Sequence, residues 1–277
     1  MIAMVESGRL GNQIFQYAAL RAVARPREPL LLLGFDQLRS TFDGVQARFV
    51  TIATSPLKHL VSLDYERMAR VTAVLPGLGL ISEDDAAHAR RDTGAAWALA
   101  RPSWFQSADI LRSPALAALS VKPVFASRAR AFLADSGMQP SSTMFVHVRA
   151  GDYRTWPSPE HPAILSPQWY RARIDEVRAE RPESTVVAIG DDPAYTDEVI
   201  DGVPQAVSYR ADEPSEFALM TICGAGVLSA SSFAYWGAYF AKRADPAAMM
   251  LGPQYWAGHA QQRWYPPNIA APFIDYR

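Results

Sequence analysis

The sequence predicts an α/β protein built as two lobes, and three observations lead there. At 277 residues the chain is long for one compact core and comfortable for two. Its second half alternates short apolar strands with amphipathic helical stretches, the signature of a parallel sheet with helices on both faces. Between the halves lies "DSGMQPSST" (135–143), polar and carrying Gly and Pro, a natural boundary. An N-terminal α/β lobe over 1–138 and a C-terminal lobe over 139–277 are therefore expected.

Taken in order, the first half reads as a strand over 2–6, a helix over 12–24 and a strand over 30–34, "LLLLG". Helical patterns follow near 58–73, 109–119 and 127–136, while "PGLGL" and "RPSWF" make 74–108 turn-rich. The second half opens on a buried-type strand, "TMFVHVR" (143–149). A helix over 166–181 follows, with Ser166 as N-cap and Pro167 at the first helical position. "STVVAIG" (184–190) is a strand, "DDPAYTDEVI" opens a helix, and "QAVSY" is a strand. "PSEFALMTIC" is a helix, "AGVLSA" a strand, "SSFAYWGAYFAKR" a helix, and "AAMMLG" the last strand.

Composition narrows the function. A net charge of −1 argues against nucleic acid as a partner. Cys223 is the only cysteine, so neither an intramolecular disulfide nor a cysteine zinc site is expected. No apolar run is long enough to span a bilayer, and "MIAMVESGRLG" lacks the layout of a signal peptide. A cytoplasmic protein is expected. Arg21, Arg25 and Arg27 leave peripheral membrane contact open beside the plainer reading of a solvated helix end.

Four stretches have the residue types that chemistry needs. In "GRLGNQ", Gly8 and Gly11 sit between strand and helix, where backbone amides can approach an anion. Asn12 and Arg9 add hydrogen-bonding and charge; the alternative is a turn with Asn12 capping the helix. In "VHVRAGDY", strand alternation puts His147 and Arg149 on one face near the strand's carboxyl end, where α/β sheets bind ligands. Asp152 can hold Arg149 or act as a base, and a purely structural Arg–Asp tie is the alternative. In "SASSFAYWGAYF", Ser231 and Ser232 can cap the helix or hold phosphate oxygens, while Phe233, Trp236, Gly237 and Phe240 read as core packing. Glu216 could accept two N–H groups from guanine or merely complement a helix dipole. In "GDDP", Asp192 reads as an N-cap and Asp191 as a residue facing the cleft. There is no D-x-D, H-E-x-x-H or cysteine cluster and no G-x-S-x-G elbow. No metal site and no cofactor are expected, and bound phosphates would be neutralised by Arg and helix dipoles.

Together and in this order, "GRLGNQIFQYA", "HVRAGDY", "ILSPQWYRARIDEV", "IGDDPAYTDEV", "EFALMTICGAGVLSASSFAYWGAYFAKR" and "MLGPQYW" resemble glycosyltransferase family 11, the α-1,2-fucosyltransferases. The resemblance covers 1–24 and about 143–257. It implies a GT-B-like fold, two Rossmann-like lobes facing a donor cleft, with the C-terminal lobe binding a GDP-sugar and the N-terminal lobe on the acceptor side. It implies an inverting, metal-independent enzyme that moves fucose from GDP-L-fucose to a glycan, with a terminal β-galactoside as the family acceptor and surface polysaccharide as the setting. By motif position, Arg149 would hold the donor pyrophosphate, His147 would lie against nucleotide or sugar, and Ser231 and Ser232 would hold phosphate. Glu216 would read guanine, and Arg9, Gly11 and Asn12 would meet the donor. Ala150 stands where the family usually has a second Arg, Ala230 where Asn is common, and Tyr235 where one of two Trp residues is common. Two other readings stay open: a GT-B enzyme using another nucleotide sugar, and a non-catalytic glycan-binding relative.

Overall fold

The computed structural model describes residues 1–51, 78–84, 87–91, 97–100 and 103–277. The helical pattern expected near 58–73 lies outside the described residues. The chain divides into two compact units, Met1–Ser120 and Val121–Arg277. The division precedes the polar stretch at 135–143, because the helix between the two points packs with the second unit. That helix, Pro123–Asp135, lies against Glu213–Met220. The Phe132 ring sits 4.3 Å from that of Tyr209, and Arg128 pairs with Asp212 at 2.9 Å.

The first unit contains β1 (Ile2–Val5), α1 (Leu10–Val23), β2 (Leu30–Leu33), α2 (Asp36–Thr41), β3 (Phe42–Asp43) and β4 (Arg48–Val50). Then come β5 (Leu78–Asp84), β6 (Ala87–Arg91), β7 (Trp97–Ala100) and α3 (Pro114–Ala118). Its main sheet runs β4-β2-β1-β7-β5-β6. β1 is parallel to both β2 and β7, whereas β6 returns antiparallel to β5. A two-residue connection cannot make the crossover that a parallel neighbour needs, so this sheet is mixed rather than wholly parallel. α1 covers the sheet with Leu10, Ile14, Phe15, Tyr17 and Leu20, all fully buried. The single helix expected over 109–119 is two pieces, a 3-10 turn (Ala108–Arg112) and α3. Pro114 has no N–H to continue the first piece and forces Ser113 out of helical geometry, at ψ 123°.

β8 (Ser120–Val121) spans the division. The second unit contains α4 (Pro123–Asp135), β9 (Thr143–Val148), α5 (Pro167–Glu180), β10 (Thr185–Gly190), α6 (Pro193–Ile200) and β11 (Ala206–Ser208). These are followed by α7 (Glu213–Met220), β12 (Ala225–Val227), α8 (Ser232–Ala244), β13 (Met249–Gly252) and β14 (Asp275–Tyr276). The sheet runs β11-β10-β9-β12-β13-β14, every pair parallel, the 3-2-1-4-5-6 order of a doubly wound fold. Met249–Gly252, expected as the last strand, is followed by β14 at the sheet edge. All six residues of β9 are buried. Met144, Val146 and Val148 pack with Tyr170, Ile174 and Val177 of α5 and with Val186, Val227 and Leu251 of the neighbouring strands. Helix starts are capped by Ser166, Asp192, Asp212 and Ser231, each side chain accepting a backbone N–H of the first turn. Each such cap is worth about 1 kcal/mol.

Candidate functional site

In the second sheet the strand order reverses at β9, which has β10 on one side and β12 on the other. Ligands of open α/β sheets bind outside the carboxyl ends of the strands at such a point. β9 delivers Arg149 there, β10 delivers Asp191, and β12 leads into the turn 228–231 that starts α8.

Arg149 is held between two carboxylates. Its Nη2 lies 2.7 Å from Asp152 Oδ1 and its Nη1 3.0 Å from Asp191 Oδ2, and its guanidinium carbon lies 5.4 Å from the centre of the Tyr153 ring. The Asp191 side chain is 21% exposed and that of Asp152 59%. Asp191 also accepts the Ala150 N–H at 2.9 Å. A Cβ on Gly151 would lie 2.6 Å from Asp191 Oδ2, so the close approach of this carboxylate to the turn requires glycine there. Ala150 is fully buried.

His147 is buried, its Nδ1 sharing a 2.8 Å hydrogen bond with Ser229 Oγ and its ring 5.6 Å from that of Phe233. Burial, reinforced by the Arg149 charge, pushes its pKa down to about 3, so the ring is neutral near pH 7. Tyr153 joins the two sides of the reversal point. Its hydroxyl donates to the Ala230 carbonyl at 2.7 Å, and its ring stacks on Trp156 at 5.0 Å. Ser231 is the cap of α8, accepting the Phe233 N–H at 3.3 Å, and Ser232 is the first helical residue. Trp236, Gly237 and Phe240 are core, as their spacing suggested, and Phe233 is half-buried.

Glu216 lies in the first turn of α7, and its Oε1 accepts the Ala211 N–H at 3.1 Å. Burial raises its pKa to about 7, opposed by that hydrogen bond and aided by Glu213 and Asp212. Asp192 caps α6 and pairs with Arg154 at 3.0 Å.

Arg9, Gly11 and Asn12 belong to the first unit. Gly8 makes the turn out of β1 at φ +89°, a conformation that favours glycine. Asn12 does not cap α1. The N-cap position falls at Arg9, which is exposed and makes no side-chain cap bond, and Asn12 Oδ1 instead accepts from Gln106 Nε2 at 2.7 Å. The turn is held by two buried amides. Gln13 Nε2 donates to Glu6 Oε2 at 2.6 Å, and Gln16 Nε2 donates to the Ser7 and Ser103 carbonyls at 2.7 and 2.9 Å. Both glutamines were passed over in the sequence. The available signal was a pair of amides, three residues apart, on the apolar side of a helix.

Among the described residues, no group of three or more His, Cys, Asp or Glu side chains is placed to hold a metal ion. No described helix is long and apolar enough to cross a membrane. Arg21 donates to the Glu28 and Gln46 carbonyls at 3.1 and 3.0 Å. Cys223 is buried.

Residues 119–249, which carry the Arg149 turn and the start of α8, match the sequence profile of glycosyl transferase family 11. The chain is 24% identical to mouse galactoside 2-alpha-L-fucosyltransferase Sec1 over 251 residues, 86% of its own length and 64% of the mouse protein. It is 24% identical to rat galactoside alpha-(1,2)-fucosyltransferase 2 over 253 residues, 87% of its own length and 67% of the rat protein. The match to the Pongo pygmaeus enzyme of the same name is 29% over 112 residues and spans a third of that protein. The chain thus spans less than two thirds of the length of several relatives it matches. Among solved structures it is similar to the fucosyltransferase NodZ from Bradyrhizobium, with a TM-score of 0.52, 13% identity, and coverage of 86% of this chain and 91% of that one. It is also similar to POFUT1 in complex with GDP, with a TM-score of 0.55, 12% identity, and coverage of 88% and 96%. The chain shares their α/β fold, which is GT-B-like.

Proposed function

We propose that the protein is an inverting, metal-independent fucosyltransferase that moves L-fucose from GDP-β-L-fucose to a glycan hydroxyl, in α-1,2 linkage to a terminal galactoside. The observation that carries the reading is Arg149, buttressed by two carboxylates at the carboxyl end of β9, with the start of α8 tied to the same turn by Tyr153. The names of the matched relatives point the same way.

In the proposed reaction the acceptor oxygen forms a bond to the anomeric carbon as the bond to the phosphate oxygen breaks. GDP leaves with the electron pair, and the hydroxyl proton passes to a base or to water. Negative charge grows on the leaving diphosphate. Arg149 and the amides and hydroxyls at Ser231 and Ser232 stabilise it, the kind of preorganised electrostatics that supplies the largest part of many rate enhancements. Asp152 contacts Arg149 directly, so its role is to hold the guanidinium rather than to take the proton. Glu216 accepts two N–H groups of guanine, a pattern that adenine and uracil do not offer. The neutral His147 packs against nucleotide or sugar. The protein works without a cofactor, in the cytoplasm or at a membrane surface, in surface polysaccharide synthesis.

Calorimetry with GDP, UDP and ADP, followed by an acceptor array with labelled GDP-fucose, tests this reading. GDP is expected to bind in preference to the other two, and a β-galactoside is expected to be labelled. No preference for GDP, or GDP binding without turnover on any glycan, would overturn it.

A further inference from the structure

Arg149 meets its two carboxylates through its Nη atoms. Two such contacts fix a line through the guanidinium but leave its plane free to tip about that line. The Tyr153 ring, its centre 5.4 Å from the guanidinium carbon, supplies a third contact off that line. Asp152 is largely exposed, so its ion pair alone holds little, and what holds the Tyr153 ring matters correspondingly.

Tyr153 is itself held from two directions. Its hydroxyl donates to the Ala230 carbonyl, and Trp156 stacks on its ring at 5.0 Å with 30° between the planes. The indole has a fixed footing. The Trp156 N–H donates to Asp152 O at 3.0 Å, and the Trp156 and Tyr153 carbonyls accept from the Ala163 and Ile164 N–H groups at 2.7 and 3.1 Å. Trp156 then meets the ring of Tyr265 at 5.7 Å. Tyr265 comes from the segment between β13 and β14, far along the chain, and that segment is rooted in the core. Tyr265 pairs in a β-bridge with Trp256, which is buried against Tyr235 of α8 at 6.0 Å and Tyr276 of β14 at 6.5 Å. A Cβ on Gly258 would lie 2.0 Å from the Arg263 carbonyl oxygen, so the return of the chain toward Tyr265 requires glycine there. Trp156 and Tyr265 are both half-buried, so the stack stands outside the fully buried packing of the sheet.

We infer that Trp156 and Tyr265 are positioning residues for Arg149, acting through Tyr153. The stack ties the plane of the guanidinium to the segment that closes the second unit. Aromatic rings suit this task, because they transmit position with few rotatable bonds. A diphosphate site gains when the fork is oriented before the ligand arrives, since binding then does not have to supply that ordering. The role of the stack rests on the one proposed for Arg149, which is to clamp the donor diphosphate.

The test is a double-mutant cycle in the full chain, read as GDP, UDP and ADP affinity by calorimetry and as kcat and KM for GDP-fucose. Trp156→Ala is expected to lower GDP affinity and kcat/KM by about tenfold. Trp156→Phe, which keeps a ring, should recover most of the loss, and Trp156→Leu should not. In the Arg149→Ala background the same Trp156→Ala change should move GDP affinity by less than about twofold, because the group it positions is gone. Tyr265→Leu should repeat the pattern more weakly. An equal loss with and without Arg149, full affinity in Trp156→Ala, or equal recovery by Trp156→Leu would overturn the inference. If Trp156→Ala does not fold, the Tyr265→Leu cycle decides by the same criterion. A parent chain that prefers UDP or ADP would sink the fucosyl reading, and the cycle would then run on that nucleotide. One that binds none of the three would overturn both.

Discussion

Asp191 offers the sharpest test of how Arg149 is held. It makes two hydrogen bonds, from the Ala150 N–H at 2.9 Å and from Arg149 Nη1 at 3.0 Å. Hydrogen bonds to a charged group are worth about 1.5–3 kcal/mol each when buried. Both side chains are about one-fifth exposed, and Arg149 keeps Asp152 as a partner, so the full sum is not lost. Asp191→Ala should therefore cost about 2–3 kcal/mol of stability, read by urea unfolding. The guanidinium then loses its inner anchor, and a displacement of about 1 Å in such a group costs up to about a hundredfold in rate. Steady-state assays of GDP-fucose turnover should show kcat/KM lower by about ten- to a hundredfold. Asp191→Asn keeps an acceptor for Ala150 and should lie between the two in stability. A folded Asp191→Ala protein with kcat/KM within about twofold of the parent would refute the positioning role.

Arg149→Ala should lower turnover by about a hundredfold or more, and Arg149→Lys should rescue it poorly, because an ammonium cannot span two carboxylates and a diphosphate as a planar fork does. Turnover close to that of the parent would remove Arg149 from the mechanism. On the proposed guanine-reading role, Glu216, with a pKa raised to about 7, accepts from guanine only when ionised, so GDP affinity should fall by about tenfold between pH 8 and pH 6. Glu216→Gln should flatten that calorimetric profile, and an equally steep one would exclude Glu216. The same raised pKa gives a stability contribution that is present at low pH and lost as pH rises through about 7, the reverse of a salt-bridged carboxylate. Gln16→Ala removes the donor to the part-buried Ser7 and Ser103 carbonyls and should cost about 1–3 kcal/mol. An unchanged melting temperature would contradict that.

The second unit was legible because its signals are local. Ser166 and Pro167 mark the start of α5, Asp192 and Pro193 that of α6, and a run of buried residues marks β9. Strand alternation correctly brought Arg149 to a carboxyl end, but it says nothing of how the side chain is held. Asp191, expected to face a cleft, is the inner partner of Arg149 across a parallel strand pair, a contact between residues far apart in the chain. The first unit shows the same limit. Asn12 looks like a cap from its neighbours alone, yet its partner is Gln106, and Gln16 reaches Ser103. The break at Ser113 was visible as a Ser-Pro step within a helical pattern, and the proline should have outweighed the periodicity.

The link from Tyr153 to residue 230 has an evolutionary side. The phenol binds a carbonyl, and every residue type at position 230 supplies one. The contact between the turn after β9 and the start of α8 is therefore indifferent to the side chain at that position, which is Ala here. Drift at 230 can alter what a ligand meets without loosening the frame behind it. An alignment that scores side chains sees only the change and misses the joint.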